Sequence, residues 1–208
     1  FINIKSKERK PAALLFFMFF SIVSATITGA SVRDAVFLTQ FDKSYLPVMF
    51  IAIAVVMAGV IALYKKLTSG QDQVFVISIS GALFSVSLFF LQSNLSGLFI
   101  PVLYIWMEVV TVLSIFQFWI LAGEIFNARQ AKRIFTLLGA GGSFAGMGAG
   151  YGIKPFVSTF GSENLLFLTI FFIGLSVVMA QMLRPFRMPH RPKKANSKPV
   201  PKSKTEFE

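Results

Sequence analysis

No cysteine occurs among the 208 residues, and His190 is the single histidine. Disulfides, thiolate metal sites and cysteine nucleophiles are therefore excluded. One histidine in a basic segment cannot supply a histidine-based metal centre. Charge is also scarce: only 14% of the residues are Asp, Glu, Lys or Arg, where a soluble domain carries about a quarter. Such a chain lacks the polar surface to cover itself in water. Catalytic signatures are missing too, with no Ser/His/Asp set, no paired aspartates, no H-E-x-x-H and no Walker motif. The expectation is a protein without enzymatic activity, metal or cofactor.

Apolar length is what the chain has. It is 55% apolar, contains 25 Phe and has a mean hydropathy of +0.70. Several apolar runs reach or approach the roughly 20 residues that a helix needs to cross a bilayer. Hydropathy predicts six spans, at about 11–31, 46–64, 74–91, 98–122, 134–154 and 165–183. The first follows a basic stretch, as a secretory signal does. Its apolar run is longer than a signal's and lacks a small-residue cleavage site, so it reads as a retained span. The expected organisation is a basic N-terminal segment over 1–10, a six-helix transmembrane bundle over 11–184, and a flexible Pro- and Lys-rich tail or linker over 185–208.

Placing the N-terminus in the cytoplasm leaves only Arg33, Lys43 and Lys154 of the 20 basic residues on the outer side. The positive-inside rule then predicts an integral membrane protein with both termini cytoplasmic; the expected location is a bacterial inner membrane. This bias accounts for most of the net charge of +11, so no nucleic-acid partner is needed. The basic tail obeys the same rule, or binds an anionic leaflet.

Polar residues within the spans are the candidate site. Ser21, Ser24, Thr28 and Ser31 share one face of the first helix at steps of three and four. They line a hydrated cavity or pack against a neighbouring helix. Glu108 falls deep in the fourth span, where an ionised, unpaired carboxylate is costly, so it should be protonated or paired. Gln117 and Glu124 share the opposite face of that helix. Arg33 and Asp34 are expected in the outer loop after the first span, as a rim salt bridge or an anion entry site. In the fifth span Gly139, Gly142, Gly146 and Gly150 form a ridge that suits close helix packing; the glycine pattern departs from G-x-G-x-x-G and has no G-K-[ST].

Between the fourth and fifth spans four charged residues crowd into GEIFNARQAKRIF. The longer string FQFWILAGEIFNARQAKRIFTLLGAGGSFAGMGAG resembles the nucleotide-transporter family of ATP/ADP translocases of plastids and intracellular bacteria. Phe118-Trp119, Glu124, Ala131-Lys132-Arg133, Phe135 and the glycines from Gly139 to Gly150 carry the likeness. VRDAVFLT after the first span is similar to the family's basic-Asp element, although Ala30 stands where the family has a further basic residue.

The resemblance implies a major-facilitator-like fold, of which this chain supplies the N-terminal six-helix half. In that fold the first and fourth helices of each half line a central cavity, so Ser24, Thr28, Glu108, Gln117 and Glu124 become candidate cavity residues. Arg33, Lys132 and Arg133 become candidate contacts for an anion, through charge-assisted bonds to phosphate oxygens. Lys132 and Arg133 equally suit a gate cluster with Glu124 and Arg129, or a topology anchor. The expected function is secondary transport of a nucleotide or related organic anion by alternating access. The expected partners are the lipid bilayer and a second half: more of the same chain, a second copy or another subunit. The alternative is a non-transporting membrane subunit packed into a larger complex.

Overall fold

A computed structural model of the chain describes residues 6–187, with the side chains at 6, 7, 128, 129 and 131–133 outside the described set. Six long helices follow one another: α1 (Ser6–Gln40), α2 (Leu46–Thr68), α3 (Gln73–Gln92), α4 (Phe99–Ile125), α5 (Ala128–Phe160) and α6 (Leu165–Leu183). Short 3₁₀ turns at Lys43–Tyr45 and Arg184–Phe186 complete the described elements. An all-helical answer is what an apolar solvent demands, because a helix satisfies its backbone polar groups within one segment.

Five of these helices, all but α5, are long and apolar enough to cross a membrane. The α5 helix has the length but is thinned in hydropathy by seven glycines from Gly139 to Gly152 and by polar residues such as Ser143, Lys154, Ser158 and Thr159. Helix ends follow local chemistry. Asp72 caps α3 by accepting from the backbone N–H of Val74 and Phe75. Asn127 and Gln130 form a reciprocal capping box that starts α5. Gly161 ends α5 with φ 85°, a left-handed value that glycine adopts without steric cost.

Three expected boundaries differ. The first helix runs on to Gln40 instead of ending near 31, because V-R-D-A-V-F-L-T-Q contains no breaker and Arg33 finds partners inside the bundle. The α5 helix passes through Pro155 to Phe160 instead of stopping at Lys154. Proline removes one donor, and helices in apolar surroundings tolerate it when neighbours supply the lost contacts. At the C-terminal side, residues expected in a flexible tail from 185 onward are ordered through Arg187, which is held by two carboxylates. The remainder of that tail, with His190, lies outside the described residues.

The α1 helix is central and packs against α4, α5 and α6. The α2 helix packs on α4, while α3 packs on α4 and α6. One row therefore reads α2, α4, α1, α5, with α3 and α6 behind it. Two apolar clusters stack along the bundle. Phe37, Leu103, Tyr104, Met107 and Leu165 anchor one, and Leu15, Met18, Phe118, Leu121 and Leu138 anchor the other. The described chain starts and stops at the second end: Gln130 at the head of α5 donates to Glu8 in α1 at 2.7 Å, and Arg187 donates to Glu124.

Candidate functional site

Glu108 lies nine residues past the start of α4, about 14 Å along its axis at 1.5 Å per residue. Its Oε2 accepts from Arg33 Nη1 at 2.7 Å. The same guanidinium donates from Nε to Asp34 Oδ1 at 2.9 Å and sits 4.5 Å from the centroid of the Tyr104 ring. The Arg33 side chain is 14% exposed, against 34% for Glu108 and 51% for Asp34. A cation is thus shared by two carboxylates and a π face. Arg33 does not occupy an outer loop, as its sequence position suggested; helical continuation carries it alongside α4.

Gln117 and Glu124, expected on the other face of α4, do lie apart from Glu108. Gln117 is buried, donates from Nε2 to Ser80 Oγ at 2.9 Å, and its backbone carbonyl accepts from Gln73 Nε2 at 3.3 Å. Glu124 accepts from Arg187 Nε at 2.8 Å, and Arg187 Nη1 donates to Asp72 Oδ2 at 2.7 Å. The end of α4 is therefore joined to the start of α3 through a residue beyond α6. Backbone at Lys132 and Arg133 belongs to the first turns of α5; their side chains lie outside the described residues.

The hydroxyl stripe of α1 turns toward α5 and α6. Thr28 Oγ1 is 2.9 Å from Thr169 Oγ1 and back-bonds to the carbonyl of Ser24 at 2.8 Å. Ser21 and Ser31 likewise donate to the carbonyls of Phe17 and Ile27. Ser24 and Thr28 line a 330 Å³ pocket whose other walls include Gly148, Ala149, Gly152 and Phe172. Where α1, α4 and α6 meet, a cavity bordered by Thr26, Thr111 and Ser176 measures only about 10 Å³, room for about one water.

The glycine ridge divides. A side chain at Gly142 would press on Phe19, and one at its neighbour Gly141 on the ring and backbone of Phe16. Gly139, Gly146 and Gly150 face open space. Gly146 and Gly150, with Ile27 and Lys154, line a 630 Å³ groove between α1 and α5. Closer approaches occur at glycines that the ridge pattern did not include: Gly29 against Met107, and Gly81 against Val177.

Sequence reasoning missed Arg187, Asp72 and Tyr104. The D-Q-V entry to α3 carries an N-cap signature that points to Asp72. Nothing local marks Arg187, whose partners lie 63 and 115 residues away. Burial pushes Asp72 toward protonation, but the Arg187 hydrogen bond and the N–H groups of Phe75 and Val74 outweigh it and hold its carboxyl below the usual range.

Long apolar helices, between which Arg33 meets Glu108 and Thr28 meets Thr169, define an all-helical integral membrane protein. Set against models of protein families, curated proteins and solved structures, the chain matches none of them.

Proposed function

We propose that this bundle is one half of a secondary transporter for an anionic solute of the nucleotide or organic-phosphate class, completed by a second six-helix half. The reading adopts a major-facilitator-like arrangement in a bacterial inner membrane, with both ends of the described chain cytoplasmic. The observation that carries it is the Arg33–Glu108 pair well inside the helix span, on helices α1 and α4. A charge at that depth is costly and is a functional candidate by default. Glu108 remains partly exposed, so an anion has a route to Arg33 by displacing a carboxylate. The α1–α5 groove with Gly146, Gly150 and Lys154 leaves a face on which a second bundle can pack.

The test is flux of labelled nucleotides and organic phosphates into proteoliposomes carrying this chain with its partner half. Saturable uptake, lost in Arg33→Met, is the expected result; absence of saturable flux for every such compound overturns the reading. One observation favours the alternative, a non-transporting subunit of a larger membrane complex: the cavity where α1, α4 and α6 meet measures only about 10 Å³, too small for an organic solute between those three helices. Nucleotide binding by the isolated chain, abolished by Glu124→Gln or Lys132→Gln, would make that alternative untenable.

A further inference from the structure

The aromatic pair Phe118-Trp119 has no role in the Arg33 site, yet Trp119 lies on the same side of the bundle. Trp119 follows Glu108 by eleven residues on α4, close to three full turns at 3.6 residues per turn. On α1, Phe19 and Arg33 are fourteen residues apart, close to four turns. The two pairs meet across the α1–α4 seam. Arg33 bonds to Glu108 at one level, and the Phe19 ring lies 5.9 Å from the Trp119 ring at the other. An ionic contact and an aromatic contact therefore stand on one line, about 17 Å apart along α4 at 1.5 Å per residue. Ala30, Val112 and Ile115 lie between them and are partly exposed, so the line stays at the bundle surface.

Trp119 has the form of a stacking platform. Its side chain is 41% exposed, although three rings adjoin it. Phe19, Phe118 and Phe135 approach with centroids at 5.9, 5.2 and 5.2 Å and planes inclined by 56°, 73° and 84°. They hold the indole in place, and among the described residues none stacks parallel to its face. Space is also left beside it. Gly123 is one turn further along α4, and Gly139 is one turn beyond Phe135 on α5; both are exposed, and a side chain at either would meet nothing.

An open π face in line with a cation held by two carboxylates suits a solute with a planar ring at one end and phosphate at the other. A sugar phosphate or inorganic phosphate would use only the cation. An extended nucleoside polyphosphate covers the separation between the two contacts. Resting on the transport reading above, we propose that the solute is a nucleoside polyphosphate, with its base stacked on Trp119 and its terminal phosphate on Arg33.

The test is equilibrium binding to the full chain with its partner half in proteoliposomes, of a nucleoside triphosphate and, separately, of inorganic tripolyphosphate, which has no base. The nucleotide is expected to bind about tenfold more tightly, from the strength of base–aromatic stacking. Trp119→Leu should remove that preference and leave the tripolyphosphate affinity unchanged, while Trp119→Tyr should retain most of it. A second measurement leaves position 119 intact. With Trp106→Phe, which keeps a ring beside Phe84, Trp119 is the sole tryptophan, and the nucleotide should quench its fluorescence where tripolyphosphate does not. Nucleotide affinity no greater than that of tripolyphosphate, or a preference that survives Trp119→Leu, overturns the proposal. So does quenching of Trp119 by acyl-brominated lipid that added nucleotide does not relieve, which would place the indole against lipid. Those results leave transport of base-free organic phosphates standing, whereas absence of binding and flux for every phosphate compound removes both readings.

Discussion

Arg33 and Arg187 each hold two carboxylates by hydrogen bonds of 2.7–2.9 Å, yet they differ in depth and in what they join. Arg33 sits seven residues inside the end of α1 and ties it to the interior of α4. Arg187 follows the last turn after α6 and ties the start of α3 to the end of α4. The chemistry is the same and the surroundings are not. At depth, each charge depends on its partner for the stabilisation that water would otherwise give. At the bundle end, water competes for every bond, and the network works mainly by fixing three helix ends in register.

The sharpest way to break the comparison is to remove one cation at a time. Arg33→Met strands Glu108 at depth and should destabilise the bundle by about 3 kcal/mol, in the range for leaving one member of a buried pair unpartnered. Replacing both, Arg33→Met with Glu108→Met, should restore most of that loss. Thermal unfolding in detergent, read through a double-mutant cycle, measures both effects; a double variant as unstable as the single one would show that the pair is not the unit.

Arg187→Met should cost less, about 1 kcal/mol, because this part-buried network lies at the helix ends, within reach of water. Its effect should concentrate at the α3 start and α4 end, where amide hydrogen exchange would rise, while α1 stays protected. Uniform loss of protection would instead mean that Arg187 holds the whole bundle.

The smallest effect is a pH dependence. The Asp72 carboxyl is held below its ordinary value of 3.8 in the folded chain, so its contribution is complete at neutral pH. It fades only as pH falls through 3.8 toward the lower folded value, because the unfolded carboxyl takes up its proton first. Asp72→Asn keeps the helix cap and removes the charge. Its unfolding midpoint should lie below that of the parent at neutral pH and converge on it in acid. A gap that widens in acid would reverse the assigned sign.

The α2, α3, α4 and α6 helices were legible in the sequence to within a few residues, because apolar runs of bilayer length admit little besides helices. That Glu108 needs a partner, and that it faces away from Gln117 and Glu124, was also legible from helical spacing and the cost of burial. The boundary after α1 was not. Hydropathy reads Arg33 and Asp34 as the start of a loop, since a residue-by-residue scale does not register an ion pair formed with a residue 75 positions away. The glycine ridge was visible as a pattern, but which glycines meet a neighbour depends on the face that α5 turns toward α1. That is why Gly142 is in contact and Gly146 lines an open groove.

The sequence by itself determined the solvent and the secondary structure: an apolar, cysteine-free chain with few charges has only helices available in a membrane. Tertiary structure alone decided the pairing of those few charges, with Arg33 on Glu108 and Arg187 on Asp72 and Glu124. The physical reason is that a span is specified by the sum of local transfer energies, whereas an ion pair requires two side chains distant in sequence to arrive at the same depth on facing helices.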